Sequence, residues 1–125
     1  MLIIHGTMSE INESDFRGWV VGHMHDGIAN TNDLEIKLWH YAENPSYPTK
    51  KFSGTEVVII FEGIIVFHFE KDGVISTEEL VGANREYIII EPEVTKRVVV
   101  KDAPASGVAV RWPSGPGVNQ VISQK

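Results

Sequence analysis

The chain has 125 residues, the size of one ordinary domain, and no cysteine, which excludes disulfides and thiolate metal sites. Its formal net charge of −6, with no block of basic residues to offset it, argues against a nucleic-acid surface. No apolar run approaches the ~20 residues of a membrane helix, and Met1–His5 lacks a basic flank, so a cytoplasmic protein with neither nucleic-acid nor membrane partners is expected.

In chain order, residues 1–15 read as an N-terminal arm in which Ser9–Ser14 holds one helical turn. Short runs rich in Val, Ile, Phe, Trp and Thr predict strands over Phe16–His25, Asp33–Tyr41, Thr55–Glu62 and Ile64–Glu70. Further strands are predicted over Val74–Glu78, Tyr87–Glu91, Val94–Val100 and Val108–Trp112. Asp72-Gly73 marks a hairpin, because a type I′ turn needs positive φ at both central residues. From Pro113 the sequence Pro-Ser-Gly-Pro-Gly leaves sheet geometry, so residues 113–125 are expected to form a flexible tail. The pattern is all-β, a single domain with its barrel or sandwich over residues 16–112.

Several groups could carry chemistry. His23-Met24-His25 places two imidazoles on one strand face, where both could reach one ion. Along Asp33–Tyr41, Glu35, Lys37, Trp39 and Tyr41 share a face. They form either a solvated charge pair or a cluster pointing into a cavity beside Arg111, with Trp19 and Trp39 as an aromatic wall. In the cavity reading Arg111 is the anion-binding fork, Glu35 the acid–base group and Lys37 the electrostatic stabiliser. No serine sits in a nucleophile elbow, and no Gly-rich loop with a lysine marks a phosphate cradle.

Glu56-Val-Val-Ile-Ile-Phe-Glu-Gly63, together with the turn at Pro92, resembles the two sequence motifs of the cupin superfamily. The segments Phe16-Arg-Gly-Trp19, Asp33-x-Glu35-x-Lys37 and Val110-Arg-Trp-Pro113 resemble those of small bacterial cupins. The resemblance implies a double-stranded β-helix, a jelly-roll barrel of two antiparallel sheets. Metal-binding cupins carry histidines where this chain has Lys50 and Phe52, or Thr49 and Lys51, and again at Lys96. A lysine cation repels a divalent metal. The resemblance therefore implies no cofactor, with Lys51 or Lys96 either paired with Glu56 or directed to solvent.

The alternation along Glu56–Glu62 sets Val57, Ile59 and Phe61 opposite Glu56. With Glu56 inward, as in metal-binding cupins, that apolar face needs a cover, and a homodimer is expected. Three functions remain open. The first is a metal-independent barrel binding a small polar or anionic molecule at Arg111, Glu56, Trp19 and Trp39, with isomerase or lyase chemistry through Glu35 and Lys37. The second is a metal enzyme with His23, His25 and Glu56 as ligands. The third is a non-catalytic dimeric β-module for protein association.

Overall fold

Thr7 opens the only α-helix among the described residues, α1 (Met8–Glu13), by accepting a hydrogen bond from the Glu10 backbone N–H at 3.1 Å. Thr7 Oγ1 in turn donates to the Glu10 carboxylate at 2.9 Å, tying the first turn to its cap. Asn12 Nδ2 then pins the helix to the sheet by donating to the Leu38 carbonyl at 2.8 Å. The computed structural model describes residues 1–43, 48–115 and 119–123. No helix among them is long and apolar enough to cross a membrane.

Eight antiparallel strands follow: β1 (Trp19–Val21), β2 (Glu35–Tyr41), β3 (Thr49–Phe52), β4 (Thr55–Lys71), β5 (Val74–Val81), β6 (Tyr87–Ile90), β7 (Thr95–Trp112) and β8 (Asn119–Ser123). The all-β jelly-roll reading holds. Its frame is the pairing of β4 with β7 over almost their whole lengths, from Thr55↔Trp112 to Glu70↔Thr95. In one half, β2 and β1 extend from β7 while β6 lies beside β4. In the other half, β5 lies beside β4 while β3 and β8 extend from β7. Buried residues of both halves, among them Trp39, Val58, Ile60, Ile65, Phe67 and Val100, form one core.

The turn between the halves explains why Gly63 is needed. Register shifts cluster between Ile60 and Ile65, where the ladder bends. Gly63 sits there at φ +80°, and a Cβ would lie 2.4 Å from the Pro104 carbonyl oxygen and 2.6 Å from that of Asp102. Thr55–Glu62 and Ile64–Glu70 are therefore one bent strand rather than two, and Val94–Val100 and Val108–Trp112 likewise merge into β7. The Asp72-Gly73 hairpin is present, with φ of 52° and 79°.

Two expectations are corrected, and one strand is added to those predicted. Phe16–His25 keeps only Trp19–Val21 as strand, because Arg17, Gly18 and Gly22 adopt positive φ on either side. Thr49–Phe52 is a strand despite its polar Thr-Lys-Lys sequence, since β7 supplies the ladder it joins. The tail expected at 113–125 contains β8, which takes the remaining edge of β3 from Phe52↔Asn119 to Thr49↔Ser123; residues 116–118 and 124–125 lie outside the described residues.

Candidate functional site

Strand register stacks the charged groups in rows. Glu56 on β4 faces Arg111 on β7, and Arg111 faces Glu35 on β2. Directly paired residues share a face, and this face is the interior: Glu56 is 2% exposed, Glu35 5% and Arg111 8%. One row along, Lys37 faces Ala109, which faces Val58. From the other half Lys50 and Lys96 arrive as direct neighbours on β3 and β7.

All of these except Glu35 line a cavity of about 100 Å³. Lys37, Lys50, Lys96, Arg111 and Glu56 supply its charge, and Trp39, Tyr41, Phe67 and aliphatic side chains supply its walls. The Glu56 carboxylate accepts from Lys96 Nζ through one oxygen and from Arg111 Nε through the other. Arg111 Nη1 lies 3.8 Å from Glu35 Oε1. The guanidinium carbon stands 4.8 Å from the Trp19 ring centroid and 5.3 Å from that of Phe52. Lys37 Nζ lies over the same Trp19 ring at 5.5 Å.

Cations outnumber anions here. Lys37, Lys50, Lys96 and Arg111 face Glu56 and, behind Arg111, Glu35: four against two. Among the described residues neither Lys37 nor Lys50 has a carboxylate partner. Burial, and then the charges of Arg111, Lys50 and Arg17, lower the Lys37 pKa to about 8. Burial and Arg111 lower that of Lys50. Lys96 is driven well below the usual lysine range by burial and then by the charges of Arg111, Lys50 and Lys37, opposed by its contact with Glu56. The buried Trp39 Nε1–H has no acceptor among the described residues.

A pH dependence follows from Lys37. Between about 8 and 10.5 the unfolded chain holds a proton on this lysine that the folded chain has released. The unfolded state thus binds more protons in that window, and stability climbs with pH through it. Urea unfolding across this range is expected to show the climb and Lys37→Met to reduce it; an unchanged climb in the variant would disprove the assignment.

Of the residues singled out from sequence, Lys37, Trp39, Glu56 and Arg111 line the cavity, and Trp19 lies against Lys37 and Arg111. Glu35 does not line it. It shares the row of Arg111 and Glu56 but lies on the far side of Arg111, where Ser114 Oγ donates to it at 3.4 Å. His23 Nδ1 lies 2.7 Å from Ser114 Oγ, and His25 Nε2 donates to the Trp19 carbonyl at 2.7 Å. His23, His25 and Glu56 therefore do not converge, which corrects the alternative ligand set. No group of three His, Asp or Glu among the described residues could hold a metal ion. The donors where a cupin would hold its metal are one carboxylate amid ammonium and guanidinium groups, which do not fit a divalent cation.

The two lysine expectations divide. Lys96 pairs with Glu56, whereas Lys51 lies 3.4 Å from Glu93 on a partly exposed site. Sequence reading left Lys50 and Lys96 out of the binding set. The alternation Lys96, Val98, Val100 carried the signal for Lys96, since Val100 is core and all three share a face.

No protein-family model matches the sequence, and neither does any curated protein. Solved structures do match in shape. Peruvianin-I, a cysteine peptidase from Thevetia peruviana latex, superposes with a TM-score of 0.64 at 20% identity over 74% of this chain and 58% of its own. An oxalate oxidase in complex with the substrate analogue glycolate gives 0.60 at 11% identity, over 72% of this chain and 46% of that one. A cupin superfamily protein from Desulfitobacterium hafniense DCB-2 gives 0.58 at 15% identity, over 71% and 75%. The chain thus spans about half the length of the first two.

Proposed function

The chain has the cupin fold, and on that premise we propose that it binds a small carboxylate in the barrel cavity without a metal, as a step in isomerase- or lyase-type chemistry. The observation that carries this reading is the excess of buried cations lining the cavity. Uncompensated buried charge is costly, and a bound anion offsets that cost where water cannot. Arg111 offers the planar fork that suits a carboxylate. A volume of about 100 Å³ is far below the ~300–1,000 Å³ of drug-sized sites, so the occupant has few heavy atoms. The names of solved neighbours speak of oxalate and glycolate, which are small carboxylates.

Malonate is the probe. It is expected to raise the melting temperature saturably at neutral pH, beyond sodium chloride at equal ionic strength. The effect should weaken as pH rises through about 8, where Lys37 loses its proton, and weaken again in Lys50→Met. If malonate produces no saturable shift, the carboxylate reading fails.

For the opposite face of the barrel we propose a second copy of this chain as partner, and with it the homodimer. Two apolar rows cross β6, β4, β7 and β2 there: Ile89, Val57, Val110 and Ile36, then Tyr87, Ile59, Val108 and Leu38. Tyr87 and Ile89 remain 68% and 62% exposed. A large apolar face of this kind marks an association site, and a twofold dimer covers it with its own equivalent. Sedimentation equilibrium is expected to give a dimer, and Ile89→Asp a monomer. A parent protein that is monomeric at micromolar concentration would end this proposal.

A further inference from the structure

We propose that Lys37 is a nucleophile that forms an imine with the carbonyl carbon of a small 2-oxo acid held in the barrel cavity. The proposal rests on the carboxylate-binding reading and gives that site a substrate class.

Position argues first. Lys96 is held by Glu56, Lys51 by Glu93, Lys71 by Glu91 and Lys101 by Glu79, whereas Lys37 and Lys50 line the cavity with no such partner among the described residues. Of these two, Lys37 is the one on the same interior face as Trp39, in the row next to Arg111. A carboxylate on the Arg111 side of so small a cavity leaves an adjacent carbonyl facing the remaining wall, to which Lys37 belongs. A 2-oxo acid has this spacing, with its two functional carbons bonded to each other.

Reactivity argues second. An amine attacks only when unprotonated, and lysines made nucleophilic are those desolvated or set beside other cations. Both conditions hold at Lys37, whose pKa falls to about 8, so near that pH about half of it is the free amine. Arg111 stays charged and can keep the substrate carboxylate in place meanwhile.

The step balances without an oxidant or reductant. The Lys37 nitrogen pair forms a C–N bond as the carbonyl π pair moves to oxygen, and proton transfer from nitrogen to oxygen gives the carbinolamine. That hydroxyl takes a further proton and leaves as water, while the nitrogen lone pair closes the C=N bond. The product is a protonated imine, whose positive nitrogen is an electron sink for proton loss or bond cleavage at the neighbouring carbon.

The test is reductive trapping on the full chain. Incubation with pyruvate and cyanoborohydride near pH 8 is expected to leave one reduced adduct, mapped by peptide mass spectrometry to Lys37 and suppressed by excess malonate. Lys37→Arg should lose the adduct, and an adduct of undiminished yield in that variant overturns the assignment. An absent adduct, or one spread over exposed lysines such as Lys101 regardless of malonate, overturns the imine. If malonate still gives its saturable shift in that case, the carboxylate reading survives; if it does not, both readings fall.

Discussion

Replacing Glu56 by Gln is expected to lower the unfolding free energy by about 3–5 kcal/mol, the usual cost of leaving one side of a buried ion pair unmatched. Glu56 is the carboxylate that both Lys96 and Arg111 contact, and it is 2% exposed. Glutamine preserves its shape but removes its charge, so four cations remain in the cavity region with only Glu35, on the far side of Arg111, to balance them. Urea unfolding at neutral pH measures the loss. Adding Lys96→Met to the same chain should recover part of it, because that removes one of the stranded cations together with its desolvation cost. Malonate should also stabilise Glu56→Gln more than the parent. A loss below about 1 kcal/mol is the range of a solvated surface pair and would contradict the burial argument.

Gly63→Ala is the second large effect, expected at about 3 kcal/mol or more, or as failure to fold. Its control is Gly73→Ala. Both glycines have nearly the same positive φ, 80° and 79°, so both substitutions pay a similar backbone cost. They differ in surroundings: a Cβ at Gly63 meets two backbone carbonyls below 3 Å, whereas nothing lies within 4 Å at Gly73. The difference in melting temperature therefore isolates the close approach at the bend between the two halves. Equal losses would show that φ alone governs both positions.

The fold was readable because its signals are local. Short β-branched runs, the Asp72-Gly73 turn and the spacing of Glu56 and Gly63 each depend on a few adjacent residues. What escaped depends on pairing. The Thr-Lys-Lys run of β3 becomes a strand only because β7 and β8 flank it, and β8 is drawn from a segment whose Pro and Gly residues read as tail. The site divides the same way. That Glu35 and Lys37 point inward together is a period-2 inference within one strand. That Lys37 reaches the cavity while Glu35 lies behind Arg111 depends on the pairing Glu35↔Arg111 between strands, which no single-strand pattern specifies. The divergence of His23 and His25 likewise follows from separate partners, Ser114 and the Trp19 carbonyl.

The continuous pairing of β4 with β7 has a consequence for how the cavity can be reached. A clamshell made of two independent sheets opens by hinging, letting a ligand enter between them. Here the same two strands run through both halves, so parting the walls would tear a ladder that holds the whole barrel together. A molecule bound at Lys37 and Arg111, as proposed, would therefore enter without parting these two strands. Under the proposed carboxylate binding, the chain and its occupant would melt as one unit.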